Sequence, residues 1–190
     1  MEGKYGEIFE KAAPYLNTRE NDVHTRIAYE LARRLLAFYP DADEVIVLPA
    51  ILLHDVGWKM VSEEKQLEAF GPNMKDKESR RLHEVEGVRI AKEILESLSF
   101  DPVKIQEILK IIDGHDSRKE AISLNDKLVK DADKLWRFSP VGMDINIKMF
   151  RMYKNKLSDR LLLKIDEWFF LPESKEMARL ALTESKKETP

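Results

Sequence analysis

Apolar residues recur every three or four positions along almost all of this 190-residue chain, and this spacing is the strongest constraint on its fold. Spacing of this kind places apolar side chains on one face of an α-helix, whereas a half-buried strand requires strict alternation. Seven glycines and eight prolines leave few positions that would break a helix. The sequence therefore predicts an all-α fold, a helical bundle that forms one domain over residues 1–190.

Breaking residues suggest where the first helices end. Pro14 should stop a first helix over residues 5–12, and Thr18 should cap a second helix that Pro40 ends. The run VIVLPAILLHD predicts the most buried helix, with Pro49 bending it and Gly57 ending it. The later predicted helices cover residues 77–99, 101–115, 123–135, 144–155, 159–170 and 174–186.

Two of the later helices carry recognisable start signals. Asp101 and Pro102 form an N-cap and first-turn pair, and Ser123 with Asp126 resembles a capping box. The mixed segment 58–76 contains Gly-Pro-Asn and is expected to be a loop with one short helix. We expect this loop, the turn at 116–123 and the C-terminal helices to form the walls of any site.

Composition excludes several classes of function. Charged residues make up 35% of the chain but nearly cancel, at a net charge of -3 and a pI of about 5.9, so nucleic-acid binding is not expected. Cysteine is absent, which excludes thiolate catalysis, disulfides and zinc-finger sites. The first sixteen residues carry scattered charges and no apolar signal core, and no run of about 18 apolar residues occurs. We therefore expect a cytoplasmic protein with no membrane segment.

All four histidines of the chain lie on, or at the end of, an apolar stripe. They are His24, His54, His83 and His115, and Asp55 follows His54 directly. Burying several imidazoles and a carboxylate without compensation would cost several kcal/mol, and metal binding is the usual compensation. Mixed nitrogen and oxygen ligands suit iron, manganese or zinc, whereas magnesium seldom needs imidazole. The sequence therefore predicts a metal site.

A closing carboxylate is expected from the DADKL run. Asp131 and Asp133 flank its apolar line on opposite sides, and Asp126 lies five residues before Asp131. Periodicity slightly favours Asp131, so the residues alone leave this ligand open.

The order of these residues resembles the H…HD…D signature of the HD-domain metal-dependent phosphohydrolases. His24, the pair His54–Asp55 and the aspartate of DADKL supply the signature. The segment HEVEGVRIA, which begins at His83, resembles the H-x-x-x-G segment of dinuclear members, among them the HD-GYP cyclic-dinucleotide phosphodiesterases and the small diadenosine-tetraphosphate hydrolases. The Gly-Tyr-Pro segment is absent, so we do not expect a cyclic dinucleotide as substrate. The resemblance implies an HD-type core over residues 18–140, with helices of residues 141–190 packed on it.

The resemblance also implies a set of metal ligands. The family's A-D-x-L pattern matches Ala132–Leu135 and so favours Asp133, with Asp131 as the alternate ligand. One or two divalent ions are expected, with iron or manganese ahead of zinc and magnesium. The implied ligands are His24, His54, Asp55 and Asp133 for the first ion, and Asp55, His83 and His115 for the second. The pair His115–Asp116 stands where the cyclic-dinucleotide phosphodiesterases have paired histidines, and Asp116 is expected to orient His115.

The implied reaction is hydrolysis of a phosphate ester or anhydride, with a nucleotide as the foremost substrate, by metal-activated hydroxide. Asp55, Lys59 and Lys134 are the implied catalytic residues, the two lysines holding phosphate or protonating a leaving group. The dinuclear families place a lysine three residues after the aspartate, but here Trp58 stands there and Lys59 comes next. Further candidate cations are Arg26, Arg80 and Arg81.

Two alternative functions remain open. A diiron oxygenase of the inositol-oxygenase kind uses a similar set of six ligands, and a non-catalytic HD module that binds a nucleotide would use the same fold. The helices after Pro140 are rich in aromatic residues and methionine but contain no histidine. We expect them to pack on the core or to form a homodimer contact.

Overall fold

A computed structural model describes residues 1–69 and 75–187, and this part of the chain contains ten α-helices and no strand. The predicted all-α fold is therefore confirmed. The helices are α1 (Gly3–Leu16), α2 (Asn21–Leu36), α3 (Glu44–Leu53), α4 (Glu63–Ala69), α5 (Lys77–Ser97), α6 (Pro102–Ile112), α7 (Leu124–Leu135), α8 (Pro140–Phe150), α9 (Lys154–Trp168) and α10 (Pro172–Lys187). Short 3₁₀ helices follow α3, at Val56–Met60, and α7, at Trp136–Phe138.

Helix α3 forms the centre of the core. Every residue from Ile46 to Leu53 is buried, and the helix contacts α1, α2, α6 and α7. A helix that is apolar on all sides is stable only when other helices surround it, which explains why α3 lies at the centre of the bundle. The pair His54–Asp55 directly follows α3 and is consequently held deep inside the bundle.

The predicted start signals of α6 and α7 are present. The side chain of Asp101 accepts a hydrogen bond from the Val103 amide at 2.7 Å, and Ser123 Oγ accepts one from the Asp126 amide at 3.1 Å. Helix α6 ends at Ile112, however, so His115 lies in the following turn and not inside the helix.

Two predictions for the first helices are wrong. Helix α1 continues past Pro14 to Leu16, because the carbonyl that Pro14 leaves without an amide belongs to Glu10, on the exposed side of the helix. Thr18 does not cap α2; it donates to Gln66 Oε1 at 3.2 Å. Instead, α2 begins after Glu20, which has a left-handed backbone with φ of 57°.

The predicted role of Gly57 is also wrong. Helix α3 ends at Leu53, and Gly57 lies within the 3₁₀ helix that packs against α5. The expected short helix of the 58–76 segment is α4, while its Gly-Pro-Asn run lies outside the described residues.

The C-terminal helices begin earlier than predicted, at Pro140, Lys154 and Pro172. Helix α10 packs against α9 and α7, and α8 packs against α9. Among the described residues, no helix is both long and apolar enough to cross a membrane.

Candidate metal centre

Three helices bring the first group of possible ligands together. His24 comes from α2, His54 from the end of α3 and Asp133 from α7, and all three are buried. The Nε2 atoms of His24 and His54 are 3.0 Å apart. Asp133 Oδ1 lies 3.3 Å from the first and 3.5 Å from the second. The three side chains therefore face one common point.

The second group lies beside the first. His83 Nε2 from α5 is 3.3 Å from His115 Nε2, which lies in the turn after α6. Asp116 Oδ2 is 3.8 Å from His83 Nε2, so Asp116 faces the same space as the two imidazoles. From the sequence, Asp116 was expected to orient His115; its place among the possible ligands was not predicted.

Asp55 lies between the two groups. Its Oδ2 atom is 3.6 Å from His54 Nε2 and 3.8 Å from His24 Nε2. Its Oδ1 atom is 3.5 Å from His115 Nε2 and 4.0 Å from His83 Nε2. One carboxylate thus presents a separate oxygen to each group, so Asp55 could contribute to both.

Trp58 holds Asp55 and His83 in place. Its indole Nε1–H donates to Asp55 Oδ1 at 3.0 Å. Its ring stacks on the His83 imidazole with centroids 3.8 Å apart and an interplanar angle of 9°. His83 Nδ1 is buried and has no hydrogen-bond partner in the described part of the chain, so the stacking orients this ring.

The tautomers of His54 and His115 are set by the same local arrangement. His54 Nδ1 lies 2.7 Å from the carbonyl of Ile51, and His115 Nδ1 lies 2.9 Å from the carbonyl of Ile112. A carbonyl only accepts hydrogen bonds, so Nδ1 carries the proton, and in the neutral imidazole each Nε2 lone pair faces the site. Backbone partners fix metal-binding histidines in this way.

Burial and charge shift the pKa values of the cluster strongly. Burial lowers the pKa of His24, and burial together with His115 lowers that of His83 to about 4. Burial also opposes protonation of His54, but the charges of Asp55 and Asp133 outweigh it and raise the pKa of His54 to about 9.

The pKa values of the carboxyl groups in the cluster are all lowered. Burial works against ionisation, yet the neighbouring imidazoles hold the pKa values of Asp55 and Asp133 well below their usual range. His115 and Arg80 lower that of Asp116 in the same way. The cluster thus combines ionised carboxylates with two imidazoles, His24 and His83, whose lowered pKa values favour the neutral form that binds metal.

These features fit divalent metal ions. Three sets of ligand atoms lie within 4.8 Å of one another: His24 with His54 and Asp133, His54 with Asp55 and His115, and His83 with His115 and Asp116. Facing Nε2 lone pairs repel each other unless a proton or a cation lies between them. Imidazole nitrogens with carboxylate oxygens are the donors that zinc, iron and manganese accept.

Two buried charges hold the turn that carries His115 and Asp116. Lys130, only 1% exposed, donates to the carbonyls of Gly114 at 2.7 Å and His115 at 2.8 Å. Glu84, fully buried, accepts from the amide of Asp116 at 3.0 Å and that of Ser117 at 2.8 Å. A cation thus binds the carbonyl side of the turn and an anion its amide side, which fixes the second group of ligands.

Asp131 is not part of the cluster. Its two carboxylate oxygens accept the amides of Phe170 at 3.0 Å and Leu171 at 2.9 Å, just before α10. Asp131 therefore links α7 to the C-terminal helix, while Asp133 faces the histidines.

A cavity of about 290 Å³ opens above the ligands. Its walls include Trp58, Asp116 and side chains of α8 and α9, which are parts of the expected walls. The cationic residues that line it are Arg19, Arg80, Lys134, Arg137 and Arg160.

The candidate cations from the sequence divide into two sets. Lys134 and Arg80 line the cavity, and Arg80 also pairs with Asp116 Oδ1 at 3.2 Å. Lys59 does not line the cavity, because its ammonium donates to Asn17 on the surface at 2.8 Å. Arg26 stacks on Phe9, and Arg81 pairs with Glu84 and Asp113. The geometry gives no support to a catalytic role for Lys59.

Arg19 is a cavity residue that the sequence analysis missed. It lies in the turn before α2 with φ of 50°, and its guanidinium stacks over Trp58 at 4.6 Å. Its Nε–H donates to Gln66, whose amide donates in turn to the carbonyl of Trp58 at 2.8 Å. Burial lowers the pKa of Arg19 to about 10, so it stays charged at neutral pH.

A local signal was available for Asp116 but not for Arg19. The chain contains the dipeptide His-Asp twice, at 54–55 and at 115–116, and each follows an isoleucine three residues before the histidine. Arg19 reaches the cavity through a left-handed turn and a contact with α4, neither of which has a sequence pattern.

Comparison with known proteins gives one match. A sequence model described as the HD domain matches residues 22–137, a range that contains all six predicted ligands and Asp116. No curated protein and no solved structure matches the chain.

Proposed function

This chain belongs to the HD-domain family, and we propose that it is a metal-dependent phosphohydrolase that cleaves a phosphate ester or anhydride, with nucleotides as the foremost substrate class. One observation carries this proposal. Asp55 presents one oxygen to each of two neighbouring groups of imidazole and carboxylate ligands, beneath a cavity lined with cations. Such an arrangement suits two divalent ions and a phosphoryl group.

We assign the ligands to two ions. The first set is His24, His54, Asp133 and Oδ2 of Asp55, and the second is His83, His115, Asp116 and Oδ1 of Asp55. Bound divalent ions supply Lewis acidity and make water a nucleophile near neutral pH. Iron and manganese suit this mixed donor set best.

The cavity cations bind and orient the phosphoryl group. Lys134 makes one hydrogen bond, to the Lys130 carbonyl at 3.4 Å, and within the described residues no carboxylate pairs with it. Arg137 donates to the Asp133 carbonyl at 3.1 Å and so lies beside the first group of ligands. Guanidinium groups bind phosphate oxygens through directed pairs of hydrogen bonds, which favours a fixed orientation for attack.

Metal stoichiometry tests the two-ion site. We expect about two iron or manganese ions per chain in protein purified without chelator or affinity tag, falling to about one in His83→Ala. The matched control is Leu82→Ala, which changes the neighbouring side chain of α5, 44% exposed. Elemental analysis gives the counts, and phosphatase assays before and after chelation, with metal added back, give the activity.

Each result of this experiment has a clear meaning. No metal in either protein would contradict the proposed function. One ion in both would reduce the site to the first group of ligands. A redox-active diiron spectrum with oxygen consumption, in place of phosphate release, would support the oxygenase alternative.

Arg19 should bind the phosphoryl group directly. In Arg19→Ala we expect KM to rise roughly tenfold or more, because a hydrogen bond to a charged group contributes about 1.5–3 kcal/mol. Metal content should not change, since Arg19 is not a ligand. Arg26→Ala is the control, because Arg26 stacks on Phe9 away from the cavity. An unchanged KM with full metal content would contradict the role of Arg19.

A further inference from the structure

The cavity above the metal centre has two chemically different ends. The ligand end contains carboxylates and cations, whereas the outer end is formed by α8, α9 and the connection between them. The outer side chains are Met149, Phe150, Met152, Leu157, Leu161 and Trp168. All of them lie beyond residue 137, where the match to the HD domain ends. The outer wall therefore lies outside the segment that matches the family model.

The size of the cavity limits what can fill it. At about 290 Å³, the cavity has room for one phosphoryl group and one ring-sized organic group. A bare phosphate ion would leave the apolar end filled with water, and a second phosphate there would lose hydration against methionine, leucine and tryptophan side chains.

One cation interrupts the apolar wall. Arg160 lies on α9 between Leu157 and Leu161, is half-buried and lines the cavity. Within the described part of the chain it forms no ion pair or hydrogen bond with another side chain or with the backbone. A guanidinium only donates hydrogen bonds, so a group that meets it must be an acceptor.

We propose that the site takes a phosphate monoester whose organic part is an apolar ring with an acceptor group at its far edge. The ring packs against Met149, Leu161 and Trp168, and the acceptor binds Arg160. Helices α8 and α9 therefore determine which phosphate monoester is accepted. This assignment rests on the proposed function, because the phosphoryl group occupies the metal end, and a nucleoside monophosphate is one member of the class.

Binding of stable phosphonates tests the assignment without any turnover. The probes are methylphosphonate, benzylphosphonate and 4-carboxybenzylphosphonate, titrated calorimetrically into the manganese-loaded protein. We expect benzylphosphonate to bind at least about tenfold more tightly than methylphosphonate, because an aromatic ring leaves water. The added carboxylate should improve binding roughly fivefold further through Arg160.

Variants identify the side chains responsible. Met149→Gln should reduce the advantage of the benzyl group about threefold, while the same change at Met60, which is 49% exposed and does not line the cavity, should leave it intact. Arg160→Gln should remove the gain from the carboxylate and leave the benzyl advantage.

The possible failures are distinguishable. If methylphosphonate and benzylphosphonate bind equally well, the apolar assignment is overturned while the phosphate site stands. If the carboxylate gives no gain in the wild-type protein, the role of Arg160 is overturned. If no phosphonate binds to the loaded protein, the proposed phosphohydrolase function fails, and the substrate assignment fails with it.

Discussion

Replacing Asp55 by asparagine should remove metal-dependent activity, with a loss on the order of 10³-fold or more in kcat/KM. Asp55 offers Oδ2 to His24 and His54 and Oδ1 to the second pair of histidines. An amide has one oxygen and no charge, so it cannot bridge two cations. Loss of about 4 kcal/mol of transition-state stabilisation corresponds to this factor.

The fold should tolerate this substitution. Asparagine is nearly isosteric with aspartate, and its amide oxygen can still accept the indole hydrogen bond of Trp58. Circular dichroism should therefore be unchanged, while the rise in Tm on adding manganese should disappear, since a ligand stabilises only the state that binds it. Asp144→Asn, an exposed change on α8, is the control. Wild-type metal content and activity in Asp55→Asn would contradict the bridging role.

Sequence patterns located most helices because their signals are local. The capping residues Ser123 and Asp101 bind amides within three residues of their own position, so the neighbouring residues are sufficient to predict where α7 and α6 begin. Pro14 does not end α1, because the cost of a proline depends on whether the carbonyl that loses its hydrogen bond can reach water. That depends on which face of α1 is exposed, and the sequence around Pro14 does not show it.

The histidines were located for the same reason, since each lies on or beside an apolar stripe. The choice between Asp131 and Asp133 could not be made from periodicity, because both flank the same line. Contacts distant in sequence separate the two side chains: Asp131 accepts the amides of Phe170 and Leu171, 39 and 40 residues away, whereas Asp133 faces His24 and His54. No local pattern contains that information.

The change from α-helix to 3₁₀ helix after Leu53 explains why Lys59 does not face the cavity. In a 3₁₀ helix the side chains at i and i+3 lie on the same side. Trp58 stands three residues after Asp55 and so returns over the carboxylate, whereas Lys59 turns outward to Asn17. The sequence alone suggested that α3 would continue to Gly57, which would have placed both residues differently.

Gly57→Ala should destabilise the protein by about 3 kcal/mol and disturb the second group of ligands. A Cβ atom at residue 57 would lie 1.9 Å from the carbonyl oxygen of His83 and 2.5 Å from the amide nitrogen of Gly87. Both atoms belong to the backbone of α5, which cannot yield as a flexible side chain does. The 3₁₀ helix and α5 must therefore separate, and His83 moves with α5.

Gly87→Ala provides the matched control on the facing side of the same contact. There a Cβ atom would lie 3.4 Å from Ile112 Cγ2, an ordinary van der Waals distance, and the residue is inside a helix where alanine is favoured. Denaturant unfolding should give a change within about 1 kcal/mol for Gly87→Ala. Elemental analysis of Gly57→Ala should show a lower metal content than in the wild type, with the second ion lost in preference to the first. The displaced backbone of α5 carries His83, whereas His24 and Asp133 come from α2 and α7. Equal stability of the two variants would mean that the close approach of Gly57 to α5 does not hold the second group of ligands in place.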